Sequence, residues 1–161
     1  MLVRAARAAS RFGARAPSLA PLGALRHHCQ VPCGIFDDPA RVAALKEDAS
    51  TIRKAMVQIN ELSASGTCGK PGLALNLNQA MRWVMTKEEH ADLIISTVSS
   101  YMLCQRVKKE IFESQAKYEA ALVAHHTLLA SAMKAKQVVD AAACDALNAA
   151  IDGVGKMYTP K

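Results

Sequence analysis

The chain is 161 residues long, 51% apolar and 4% aromatic, enough for one compact domain with its own core and too little for two. Its formal charge of +6 raises a nucleic-acid partner, yet residues 1–26 hold five arginines and no acid, leaving 15 basic and 14 acidic residues, about +1, for the remainder. A body so nearly neutral predicts no nucleic-acid partner, and no run of about 20 apolar residues is present to span a membrane.

At the start, Arg4, Arg7, Arg11 and Arg15 recur at intervals of three and four among Ala, Ser and Leu, and Arg26 closes the stretch. This acid-free pattern predicts a cleavable organelle transit peptide over residues 1–27, because the arginines interrupt every apolar run before a secretory signal's core can form. The periodicity suits a mitochondrial leader, addressed to the matrix, better than a plastid leader, which stays as the alternative. An untargeted basic tail is the remaining reading.

Beyond residues 28–37, Asp38-Pro39 reads as an N-cap and first-turn proline, followed by Val42, Leu45, Ala49, Ile52, Met56 and Ile59 at helical spacing. Three glycines and Pro71 between Gly66 and Gly72 break the chain. A second helical region is predicted from Leu73 to Cys104; within it Thr86-Lys87-Glu88-Glu89 resembles a capping box, so it is either two helices or one long bent one. A third helix over 107–135 places Ile111, Tyr118, Leu122, Leu129 and Met133 on one side. A fourth, over 138–154, carries Val139, Leu147 and Ile151 and ends at Gly153 and Gly155. No segment shows sustained alternation, so the expected fold is all-α: an antiparallel four-helix bundle over 38–161, preceded by a separate N-terminal segment over 28–37.

Five cysteines, an odd number in a non-secreted chain, argue against a disulfide framework. Cys104 and Cys144 fall in helical patterns and are expected as small buried hydrophobes, with Cys68 a partly exposed thiol in the glycine loop. The other two lie in His27-His28-Cys29-Gln30-Val31-Pro32-Cys33-Gly34-Ile35-Phe36-Asp37. If a processing peptidase cuts between His27 and His28, the new α-amine, the Cys29 amide nitrogen and the Cys29 thiolate close two fused five-membered chelate rings. Cys33 then supplies a second thiolate after Pro32 turns the chain. Such an N2S2 set is planar and suits Ni(II) or Cu(II) rather than tetrahedral zinc, with the His28 ring left as an axial donor.

These residues resemble the N-terminus of the nickel superoxide dismutases, His-Cys-x-x-Pro-Cys-Gly-x-Tyr-Asp, with His28, Cys29, Pro32, Cys33, Gly34 and Asp37 matching in register. The resemblance implies a helical bundle that assembles as a hexamer, one nickel ion per subunit, and superoxide as substrate. It carries metal binding and catalysis to His28, Cys29 and Cys33, with Pro32, Gly34, Phe36, Asp37 and His90 as supporting positions. Three departures stand out: the family's tyrosine is Phe36, the acid often found after the first cysteine is Gln30, and Phe36-Asp37-Asp38-Pro39 holds one residue more than the commoner Tyr-Asp-Pro. Tyr101, Tyr118 and Tyr158 are the phenols left to take over that hydroxyl's role, and the sequence does not choose among them.

Each assignment has a competitor. Spacing alone reads Cys29 and Cys33 as a plain redox-active or structural thiol pair, a reading reversed by the complete set of residues where the leader ends. A zinc site lacks its partner pair, and a di-iron bundle lacks Glu three residues before His90, His125 or His126. His125-His126 reads as a surface or satisfied core pair, and Glu88-Glu89-His90 as a charged first turn. The expectation is a nickel-dependent superoxide dismutase cycling between Ni(II) and Ni(III); a non-enzymatic organellar helical metal-binding or scaffold protein is the alternative.

Overall fold

The computed structural model describes residues 38–65 and 72–159. Helix α1, Asp38–Ser65, buries the predicted stripe of Val42, Leu45, Ala49, Ile52, Met56 and Ile59, with Ala55 beside it. Nothing after Ile59 in α1 is buried. Helix α2, Leu73–Ser96, starts from Gly72, whose φ of 95° is a conformation that side-chain-bearing residues rarely adopt. The helix then runs without a break into a π-helical stretch, Thr97–Arg106, closed by Val107 N–H donating to the Met102 carbonyl at 2.9 Å. The region is therefore one continuous helix. The expected capping box is not one: Thr86 lies inside α2 and its hydroxyl donates back to the Arg82 carbonyl at 3.0 Å.

Helix α3 spans Gln115–Gln137 and begins later than the spacing predicts, because Val107 and Lys108 are extended and a short 3-10 turn, Lys109–Ile111, intervenes. Ser114 caps it by accepting from Lys117 N–H at 3.3 Å. Its buried face is Ala121, His125, Leu128, Ala132 and Ala135, rotated by one residue from the expected stripe, and Ile111 and Met133 are exposed. Helix α4, Ala141–Gly155, is capped by Asp140, whose carboxylate accepts from Ala142 N–H at 3.0 Å. Its apolar face is Leu147, Ile151 and Val154, while Val139 stays outside. At Gly155 an added Cβ would stand 3.0 Å from Val42 Cγ1, so the lack of a side chain there permits the close approach of α4 to α1.

Cross-helix partners fix the directions. Asp48 meets His90 and Ser65 meets Asn76, so α2 runs back along α1. Lys46 pairs with Asp152 and Arg53 with Asp145, so α4 does the same. Lys87 meets the end of α3 at Lys136, which also pairs with Asp92 at 2.7 Å. Leu45, Ile52, Met56, Ile94, Met102, Leu128, Cys144, Leu147 and Ile151 form the shared core, and among the described residues there are four α-helices and no strand.

Helices α3 and α4 are the shorter pair. Lys87 is 3% exposed and donates to the Ala135 and Lys136 carbonyls, so α3 ends level with the middle of the α1–α2 hairpin. Residues 73–86 of α2, about 21 Å of helix, project past that point with the end of α1. On this arm Leu77, Met81 and Met85 are 57%, 67% and 69% exposed.

The Asp38 end of the bundle as candidate functional site

The segment expected to carry the chemistry joins the bundle at Asp38. His28, Cys29, Pro32, Cys33, Gly34, Phe36 and Asp37 lie outside the described residues, as do the leader and Cys68. Asp38 opens α1 and is only 7% exposed. Its role is more than the N-cap the sequence suggests. Tyr101 donates its hydroxyl to Oδ1 at 2.7 Å, Arg106 Nε reaches both oxygens at 3.1 Å, and Arg106 Nη2 donates to Oδ2 at 2.6 Å. A buried carboxylate is tolerated on these terms: a guanidinium fork neutralises it and a phenol fills a remaining lone pair.

The π-helical stretch makes this possible. Tyr101 and Arg106 are five residues apart, a spacing that an α-helix would splay by about 140° around its axis. With hydrogen bonds running five residues back, as Val107 to Met102 shows, positions five apart stack on one face and both side chains meet Asp38. Arg41, one turn into α1, sets its guanidinium over the Tyr101 ring at 5.6 Å. Burial first, and then donation to Asp38, pushes the Tyr101 phenol up to about 12, so it remains a donor.

Next to this group, Tyr158 in the turn after α4 donates to His125 Nε2 at 2.7 Å, and His125 Nδ1 lies 2.7 Å from the Ala121 carbonyl. A carbonyl only accepts, so the proton sits on Nδ1 and the ring is neutral. Burial lowers the His125 pKa in keeping with that, and burial together with the Asp38 charge raises the Tyr158 phenol. Arg106, Val107, Phe112, His125 and Tyr158 line a cavity of about 120 Å³ at this end, and Tyr118 packs against Phe112 with ring centroids 5.6 Å apart. All three candidate tyrosines therefore gather at the Asp38 end, and Tyr101 and Tyr158 have their hydroxyls bound.

The other predicted residues are dispersed. His90 Nδ1 lies 2.7 Å from Asp48, whose pKa is raised by burial, about 15 Å further along α1 from Asp38. Cys144 is buried as expected, 3.6 Å from the Met56 sulfur, but Cys104 is exposed, because it lies on the outer side of the π-helical stretch. His125 is a satisfied core histidine and His126 faces outward. Arg106 carries no signal in the sequence, since its tie to Tyr101 is invisible at α-helical spacing. Among the described residues no three His, Cys, Asp or Glu side chains come together to hold a metal, and no helix is long and apolar enough to cross a membrane.

A family model described as nickel-containing superoxide dismutase matches residues 23–161, a span that includes both the N-terminal segment and the bundle. Neither a curated protein nor a solved structure matches the chain.

Proposed function

The chain belongs to the nickel-containing superoxide dismutase family, and from that premise we propose that residues 28–37 are its metal-binding hook, held at the Asp38 end of the bundle. The family makes it an oxidoreductase acting on superoxide, with nickel as cofactor. The observation that carries the assignment of ligands is the matched span itself. It takes in His28, Cys29 and Cys33, while the described residues beyond offer no competing cluster of donors.

The donor chemistry fits. His28 offers an α-amine and a ring nitrogen, Cys29 an amide nitrogen and a thiolate, and Cys33 a second thiolate. When bound, nickel supplies a one-electron Ni(II)/Ni(III) couple through which one superoxide is oxidised to dioxygen and a second, with two protons, is reduced to hydrogen peroxide. Two thiolates and a deprotonated amide donate enough charge to make the higher state reachable, and the His28 ring favours it further. Amine coordination near neutral pH is helped by the low pKa of an α-amine, about 7.7 to 8.0.

That amine exists only after cleavage between His27 and His28, where Arg26 stands two residues before the bond. The proposed precursor is therefore inactive until a processing peptidase removes residues 1–27. The arginine pattern of the leader supports the mitochondrial matrix as its destination, with a plastid as the second choice. A homo-oligomer, a hexamer by family resemblance with one nickel per subunit, is supported by the arm: Leu77, Met81 and Met85 are exposed, and Val84, Met85 and Leu93 floor an open groove on α2.

A chain beginning at His28 and reconstituted with nickel should consume superoxide. Cys29→Ser and Cys33→Ser should each abolish turnover with helix content unchanged by circular dichroism, and His28→Ala should keep nickel but turn over more slowly. Activity surviving in either cysteine variant, or in a chain beginning at His27, overturns the coordination.

A further inference from the structure

Asp38 is the first residue after the proposed hook, and the bundle treats it unlike any other acid among the described residues. It is the most buried carboxylate among them, and two groups converge on it, the Tyr101 hydroxyl and the Arg106 fork, while Arg41 lies over the Tyr101 ring. A helix N-terminus favours an acid without burying it, so capping alone does not call for this arrangement. The partners come from a distant part of the chain, and a ten-residue π-helical stretch, a rare geometry, is what brings them together.

We propose that Asp38, Tyr101 and Arg106 form a lock that fixes where and in which direction the N-terminal segment leaves the bundle, making Tyr101 and Arg106 positioning residues for the nickel ligands. The proposal rests on the reading that residues 28–37 hold the metal. Reach explains why the lock matters. Cys33 is five residues before Asp38 and so lies within about 18 Å of it, whereas the 28-residue α1 is about 42 Å long. The metal is thereby confined to the Asp38 end. A tether this short passes any freedom at its root directly to Cys33, and fixing the root raises the effective concentration of the second thiolate at a metal already held by His28 and Cys29. The lock carries no net charge of its own, since Arg106 neutralises Asp38, and its phenol stays protonated. It acts on geometry rather than on charge.

The test uses the nickel-loaded chain beginning at His28 and reads nickel release to excess chelator, followed by the nickel–thiolate absorption, alongside the melting temperature. Asp38→Asn and Arg106→Leu should each release nickel at least about tenfold faster than the parent, and the double variant no faster than either, because both break one lock. Tyr101→Phe, which keeps the ring under Arg41, should give a smaller increase, and Arg106→Lys should restore part of the loss. Ile52→Val, a core change far from the lock, should lower the melting temperature and leave release unchanged. Release at the parent rate in both Asp38→Asn and Arg106→Leu, or equal acceleration by Ile52→Val at a matched loss of stability, overturns the lock while the metal site stands. A parent chain that takes up no nickel overturns the metal-site reading and the lock with it.

Discussion

The same two helices behave differently along their length. Where α3 and α4 cover them, α1 and α2 bury Leu45, Ile52 and Ile94 completely; past Lys87 on α2 and Met56 on α1 the hairpin extends beyond that cover and leaves Leu77, Met81 and Met85 in water. Two helices can bury only the seam between them, and here Lys54 over the Trp83 ring, 6.0 Å away, and the Ser65–Asn76 bond hold that seam. The difference teaches that apolar side chains on this chain do two jobs: those in the covered half hold the subunit together, and those on the arm are available to something outside it.

The largest effect that tests this contrast is expected in the covered half. Leu147→Ala, at a fully buried position in the shared core, should cost about 2–5 kcal/mol in urea denaturation. A loss under about 1 kcal/mol would mean that the core is looser than its burial implies. Next comes the Asp38 end. Arg106→Leu should cost about 1–3 kcal/mol, below the full figure for a buried pair because the Arg106 side chain is 30% exposed.

Third is a pH dependence. His125 is held neutral by burial, so below its usual 6.5 the unfolded chain takes up a proton that the folded chain refuses. Stability is fully present above that value and declines as pH falls beneath it, by up to about 1.4 kcal/mol per pH unit, until the lowered folded pKa is reached. Melting temperatures from pH 7.5 down to 5 should show this slope, and His125→Gln should flatten it. The smallest effect belongs to the arm: Met81→Gln should leave the unfolding free energy of a dissociated subunit within about 0.5 kcal/mol of the parent while weakening self-association in sedimentation. A large loss of subunit stability there would erase the distinction between arm and bundle.

What the sequence shows of this structure depends on side-chain size. The face of α1 is legible because Val42, Leu45, Ile52, Met56 and Ile59 are large and recur at three and four. The face of α3 is not, because Ala121, Ala132 and Ala135 pack by being small and His125 is buried by satisfying both ring nitrogens. A search for large apolar residues finds Leu122, Leu129 and Met133 instead and rotates the helix by one position. The metal-binding motif is legible by its chemistry in His28, Cys29 and Cys33. The group that receives it is not, since Asp38 looks like an ordinary cap and nothing in an α-helical reading joins Tyr101 to Arg106. Cys104 fails for the same reason, its side of the helix being set by π rather than α geometry.

The wide turn at Thr97–Arg106 also sets how the chain tolerates a change of length. Removing one residue from an ordinary helix turns everything beyond it by about 100°, so a deletion at Ile94 would swing Val98 and Met102 out of the core. Removing Cys104 would instead leave the tyrosine and the arginine four apart, the spacing at which an α-helix stacks them on one face, and Asp38 would keep both partners. The π-helical stretch thus amounts to one surplus residue stored in a regular helix, and it gives this long rod a place where the register can slip by one without losing its hold on the start of α1.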